Sequence, residues 1–149
     1  MPLHGEQVYF DDVHVGDEIP LLRKICSTQQ LVMWAGASGD FYQIHYDVDF
    51  ARSTGLDRII VHGALKNAFL GQLLHDWIAP DGFVRKFSCQ YRSMDYPNEE
   101  MLCRGVVTKT YEEDGRCLVD LDVWTENAEG KKTAPGSGTV VLPRRRAGA

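Results

Sequence analysis

The sequence predicts a single α+β domain in which an antiparallel sheet wraps around one long central helix. Two patterns carry that expectation. From Ala64 to Ile78, Leu65, Phe69, Leu73 and Trp77 recur every fourth residue, and so do Leu70, Leu74 and Ile78, an apolar stripe too wide for a helix lying on the surface. After it, apolar and polar residues alternate through Phe87–Arg92 and again through Cys117–Trp124, the period of half-buried strands.

The elements follow in order. Residues 1 to 17 are a mixed, turn-rich opening, and a first strand is expected from about Glu18 to Cys26. Ser27 supplies a hydroxyl cap, with Gln30 three residues later, ahead of Leu31, Trp34 and Ala35 at helical spacing. A short helix therefore delivers the chain into the loop Ser38-Gly39-Asp40-Phe41-Tyr42-Gln43-Ile44-His45. Asp47 and Asp49 then cap a second short helix ending at Gly55. The long helix would run roughly 22 Å at 1.5 Å per residue, with Pro80 and Gly82 ending it. A further strand over Met101–Tyr111 is bounded by Tyr96-Pro97-Asn98 and Glu113-Asp114-Gly115 as turns, and the last strand is expected over Thr139–Leu142. Residues 1–143 make the domain. Residues 144–149, opening with Arg144-Arg145-Arg146, are expected to be a basic, disordered tail. A wrapped sheet leaves an edge strand and apolar surface uncovered, so a homodimer or a higher even-numbered homo-oligomer is expected.

The chain has 149 residues, 44% hydrophobic and 25% charged, enough for one ordinary core. A net charge of -5 and a pI near 5.5 exclude a surface built to neutralise phosphates, so no nucleic-acid partner is expected. Cys26, Cys89, Cys103 and Cys117 are widely spaced without a C-x-x-C pair or a leader before them, which reads as buried thiols in a reducing cytoplasm. No apolar run approaches the ~18 residues needed to cross a bilayer, so no membrane association is expected.

The chemistry-bearing residues lie around the first loop. Asp40 and His45 converge if the chain bends, and Val61-His62-Gly63 stands where the long helix begins. Adding water across the double bond of an α,β-unsaturated thioester requires a proton taken from water, a proton given to Cα, and charge stabilised on the thioester oxygen. An imidazole with a reference pKa near 6.5 can accept or donate the proton, and a carboxylate can hold the same water and accept its proton. Gly63 would offer unpaired N–H groups at the positive end of a helix dipole and allow close approach of the oxygen. The same residues also fit a plainer account, in which Asp40 caps a turn and His45 packs. His62 is expected to orient the turn as a packed histidine in preference to transferring protons. His75 and Asp76 form a polar gap in the helix, while His4 and His14 lack ligand spacing, so no metal site is expected. Trp34, Phe69 and Trp77 read as core.

The strings Ala37-Ser38-Gly39-Asp40-Phe41-Tyr42-Gln43-Ile44-His45-Tyr46-Asp47, Phe50-Ala51, Gly55 and Ile60-Val61-His62-Gly63-Ala64 closely resemble the MaoC-like dehydratases, which include (R)-specific enoyl-CoA hydratases. The likeness extends to Phe10–Asp17 and Phe87–Arg92. The resemblance implies a hot-dog fold, Asp40 and His45 as the catalytic dyad, and the Gly63 N–H as the donor to the thioester oxygen. It further implies a substrate carried on CoA or acyl carrier protein, no separate cofactor, and an acyl tunnel near a dimer interface. Two departures stand out. The family's usual Gly-Asp-x-Asn-Pro-x-His carries Tyr42 and Gln43 where Asn and Pro stand, so the loop lacks a rigid proline and these two side chains border the substrate. Some members carry a helix serine that supports the aspartate; that position is Gly71 here, with Asn67 and Gln72 as possible replacements. The expected activity is interconversion of trans-2-enoyl and (R)-3-hydroxyacyl thioesters. The competing readings are a non-catalytic acyl-thioester-binding subunit of a heterodimer and an acyl-CoA thioesterase.

Overall fold

A computed structural model describes residues 6–145. The elements run β1 (Leu22–Ile25), α1 (Thr28–Ser38), α2 (Val48–Ser53), α3 (Gly63–Ile78), β2 (Phe83–Cys89), β3 (Glu100–Glu113), β4 (Arg116–Asn127) and β5 (Lys132–Leu142). The caps form as the side chains dictate. Ser27 Oγ accepts from Gln30 N at 3.1 Å to start α1, and Asp47 Oδ1 accepts from Phe50 N at 2.9 Å to start α2. At the tip of the β3–β4 hairpin, Asp114 (φ 51°) and Gly115 (φ 71°) take the left-handed conformations of a two-residue turn whose twist matches its strands.

The five strands form one antiparallel sheet in the order β1-β3-β4-β5-β2. Its register shifts between Val107 and Lys109, between Thr125 and Glu126, and between Val84 and Lys86, irregularities that bend strands and increase their twist. The curled sheet takes α3 into its concave side, where the helix packs against β2, β3, β4 and β5. This is the hot-dog arrangement, as expected. Leu65, Phe69, Leu70, Leu73, Leu74 and Ile78 of α3 are buried against Cys103, Val107, Leu121, Val123 and Val140 of the sheet. At ~1.5–3 kcal/mol for each large apolar side chain removed from water, this contact is the main source of the fold's stability. Gln72, His75 and Asp76 stay exposed on the far side of the helix.

Three expected boundaries move. The first strand begins at Leu22 because Pro20 has no N–H for a ladder, leaving Glu18 only an isolated bridge to Val106. The strand expected through Arg92 ends at Cys89, after which the chain leaves the regular sheet while still donating from Gln90 N to Pro135 O and from Arg92 N to Thr133 O, each at 2.9 Å. The last strand starts at Lys132, well before Thr139. Pro135, Gly136 and Gly138 disguise it in the sequence, yet the glycines are there because space is short. A Cβ on Gly136 would press on the Ser88 carbonyl and lie 2.7 Å from Cys89 Cβ, and one on Gly138 would lie 2.8 Å from Leu74 Cδ1.

Of the expected tail, residues 146–149 lie outside the described residues. Arg144 and Arg145 are not free: Arg144 pairs with Asp11 and Glu112, and Arg145 with Asp12, joining the end of β5 to the 3-10 turn Phe10–Asp12. The four cysteines are free thiols, and burial pushes Cys26 up to about 11 and Cys103 up to about 12. No helix among the described residues is long and apolar enough to cross a membrane.

Two glycine substitutions test this packing with opposite signs. Gly136→Ala is expected to destabilise by ~1–3 kcal/mol, because backbone and not a flexible side-chain end opposes the new methyl. Gly36→Ala, in the interior of α1 with nothing within 4 Å of the added Cβ, is expected to stabilise by roughly 0.5–1 kcal/mol. Denaturant unfolding of both variants measures the two shifts.

Candidate active site

The loop between α1 and α2 is fixed by its own polar groups. Gly39 closes α1 in the left-handed conformation (φ 79°), its N–H reaching Ala35 O at 2.9 Å. Ser38 Oγ donates to Trp34 O at 2.7 Å and accepts from Asp40 N at 3.2 Å, so the turn that presents Asp40 is tied back to the helix. Asp40 Oδ1 accepts a long bond from Tyr42 N at 3.4 Å, which leaves most of the carboxylate's capacity free. Beyond it, Tyr46 OH donates to Phe41 O at 2.8 Å and Ile60 N to Ile44 O at 3.1 Å. The Tyr42 ring stands edge-on to His45 (centroids 6.3 Å apart) and to Phe50 (5.9 Å). These contacts hold the loop that lacks the proline. Gln43 opens the 3-10 turn Gln43–His45 with an exposed side chain.

His45 is 6% exposed, and its Nδ1 lies 2.8 Å from Ile60 O. A carbonyl can only accept, so Nδ1 carries the proton and the neutral ring keeps its lone pair on Nε2. His62 is fully buried; its Nε2 donates to Asp40 O at 3.3 Å, and its Nδ1 has no partner among the described residues. The two imidazoles stack with centroids 3.7 Å apart and planes 20° from parallel. Burial, and then the charge His45 can carry, push the His62 pKa down, against the opposing pull of the Asp40 carbonyl and carboxylate.

Donor atoms of Asp40, His45 and His62 lie within 4.8 Å of one another, a spacing that a cation could share. The stacking argues otherwise. Nearly parallel rings send their in-plane lone pairs side by side, and His62 Nε2 is committed as a donor. The arrangement sets the Asp40 carboxylate and the His45 imidazole beside a buried second ring whose pKa is pushed down.

Gly63 is the first residue of α3, and the N–H groups of Gly63 and Ala64 have no acceptor among the described residues. They form the positive end of the α3 dipole. Tyr91 lies so close over Gly63 that an added Cβ would sit 2.5 Å from Tyr91 Cδ2. A cavity of about 290 Å³ opens here, lined by His45, Ile60, Gly63, Tyr91, Met94 and Lys66, among others. Of the residues singled out in the sequence, His45 and Gly63 line this cavity, Asp40 and His62 adjoin His45 within the same cluster, and Tyr42 packs edge-on to the His45 ring.

The two expected supports for Asp40 turn elsewhere. Asn67 Oδ1 accepts from Cys89 Sγ at 3.2 Å, and Gln72 bonds Lys24 and Asp76 on the surface. At Gly71 nothing approaches an added Cβ closer than Phe87 Cε1 at 4.0 Å. Ser38 and His62 hold the aspartate's backbone instead. Lys66 is a site-adjacent residue that the sequence pattern does not single out. It is 2% exposed, and its Nζ donates to Ser93 O at 2.7 Å and to Asp95 Oδ2 at 2.8 Å; Asp95 itself is 5% exposed. The one signal was a lysine beside Leu65 on the stripe, three residues after Gly63. His14 and His75 are exposed, and His14 sits 3.7 Å from Asp17; His4 lies outside the described residues.

Residues 4–127 match the family described as MaoC like domain. The (R)-specific enoyl-CoA hydratase of Rhodospirillum rubrum is 26% identical over 142 residues, covering 92% of this chain and 93% of that protein. Among solved structures, an (R)-hydratase from A. caviae involved in PHA biosynthesis superposes with a TM-score of 0.80 at 24% identity, covering 89% of this chain and 98% of its own. R-hydratase PhaJ1 from Pseudomonas aeruginosa does so with 0.82 at 17%, covering 93% and 88%. At such identities the structural likeness carries the fold. The sequence match spans the loop, the glycine and the whole of α3, and the chain belongs to the MaoC-like domain family.

Proposed function

We propose that this protein is a hydro-lyase that interconverts trans-2-enoyl thioesters and (R)-3-hydroxyacyl thioesters. The observation that carries the reading is the 2.8 Å contact of His45 Nδ1 with Ile60 O: it commits Nδ1–H as the donor and leaves Nε2 as a base, on a ring with a nitrogen within 4.8 Å of an Asp40 carboxylate oxygen. The relatives' names supply the (R) stereochemistry and the CoA thioester. Acyl carrier protein is the alternative carrier.

In the hydration direction a water sits between Asp40 and His45 Nε2. Nε2 takes a proton as the water oxygen bonds to C3. The C2=C3 electron pair moves toward the thioester oxygen, which the N–H of Gly63 and the α3 dipole stabilise. The enolate then collapses, and C2 takes the proton back from the imidazolium. Atoms and charge balance without a redox partner, so the reaction itself calls for no cofactor. Acid–base help of ~10²–10⁴-fold and an oxyanion donor of ~10²–10³-fold leave positioning by the cavity to supply much of the rest. His62 orients both partners: it holds the Asp40 carbonyl and stacks on the base. Two copies of the chain are proposed to assemble, with the sheet edge as the site of pairing.

Loss of enoyl-thioester absorbance with crotonyl- and longer enoyl-CoAs tests the assignment. Asp40→Asn and His45→Gln are each expected to lower kcat by ~10²–10⁴-fold while leaving the fold intact. Unchanged rates in both variants would remove these residues from the mechanism. Release of free CoA in place of hydration points to thioester hydrolysis, and hydration that awaits a second subunit points to a non-catalytic partner.

The depressed pKa of His62 makes a separate prediction about stability. Below the unfolded value near 6.5 the unfolded chain binds a proton that the folded chain refuses, so stability rises with pH there. This contribution is fully present above about 6.5 and is lost as pH falls, at up to ~1.4 kcal/mol per pH unit. Denaturant titrations below pH 6.5 should show a shallower slope for His62→Gln than for the parent.

A further inference from the structure

Downstream of β2, residues Tyr91–Asp95 form a strap that borders two cavities. Arg92, Ser93 and Met94 line the 290 Å³ cavity on one side and a second cavity of about 570 Å³ on the other. The strap is a partition whose position packing alone does not set. Three polar ties set it. Arg92 N and Ser93 N donate to Thr133 O at 2.9 and 3.1 Å, anchoring it to β5. Val61 N donates to Asp95 O at 2.8 Å, anchoring it to the residue before His62. Lys66 Nζ, one turn into α3 from Gly63, donates to Ser93 O and Asp95 Oδ2.

The third tie is unusual in kind. Both partners are at least nine-tenths buried, and a buried ion pair seldom stabilises a fold more than apolar residues of the same volume would. Its geometric effect is specific. It ties Ser93 and Asp95, two and four residues after Tyr91, to the first turn of α3, where the gap between Tyr91 and Gly63 is already too narrow for a single added carbon.

We propose that the Lys66–Asp95 pair determines substrate specificity, holding Tyr91 against Gly63 so that a thioester branched at C2 is excluded and a straight acyl chain is admitted. The inference rests on the thioester reading of the site. A C2 methyl lies beside the thioester carbonyl and therefore meets the Tyr91 ring when the carbonyl oxygen approaches Gly63. Lys66 acts through the strap and is a positioning residue.

The test uses butyryl-CoA and 2-methylbutyryl-CoA, saturated thioesters that cannot be hydrated, with affinities measured by calorimetry. The parent protein is expected to prefer the straight chain by ~10-fold or more, the discrimination one methyl group can give in a tight pocket. Lys66→Met and the double variant Lys66→Met/Asp95→Leu are expected to lose most of that preference. The double variant leaves no unpaired buried charge, so it decides the matter where the single variant fails to fold. Asp95→Asn keeps an oxygen for Lys66 and is expected to retain the preference. A folded double variant that discriminates like the parent overturns the proposal, as does a parent that binds both thioesters equally or neither. Enoyl-CoA turnover measured in parallel separates the two readings: selective binding without hydration sinks the hydro-lyase assignment and leaves the clamp standing.

Discussion

The burial of α3 in the curl of the sheet is the constraint on which the site depends. Six large apolar side chains of that helix are lost from water against β2 to β5, so its axis and its end are not free to move. A helix held this way presents its first N–H groups at a fixed place. That place is beneath Tyr91 and beside His45. The loop carrying Asp40 and His45 then has only to reach a position already defined. It does so through Ser38, Gly39 and His62, with the Ile60 carbonyl receiving His45 from the segment just before the helix.

The loop shows how a rigid turn can be built without a proline. Tyr42 and Gln43 occupy the positions where the family usually carries Asn and Pro, and the backbone is held instead by the Tyr46 hydroxyl, the Ile60–Ile44 bond and the edge-on packing of Tyr42. The stacked histidines add a second restraint. His62 stacked against His45 restrains that ring, and the bond from His62 to the Asp40 carbonyl couples the positions of Asp40 and His45. Gly71 leaves no side chain to brace the carboxylate from the helix, so bracing comes from the loop.

Much of this was legible in the residues. The stripe from Leu65 to Ile78, the Ser27 and Asp47 caps and the alternation in β4 gave the layout, because each is a local pattern with a local cause. What escaped depends on contacts distant in sequence. The glycines of β5 read as a loop until Ser88 and Leu74 are placed against them. Lys66 carries no sequence signal of its role, because its partner lies 29 residues away in a segment without periodicity. Asn67 and Gln72 were plausible supports by spacing alone, yet their side chains follow nearer partners in β2, on Lys24 and on Asp76.

The central claim is that water adds across the enoyl double bond with the proton passing through His45 to C2. Its most direct measurement is turnover of a trans-2-enoyl-CoA in deuterated water, with the product analysed by mass spectrometry and NMR. The account predicts a 3-hydroxyacyl-CoA carrying deuterium at C2 and an intact thioester. Free CoA with the enoic acid, or substrate recovered unchanged, would contradict it.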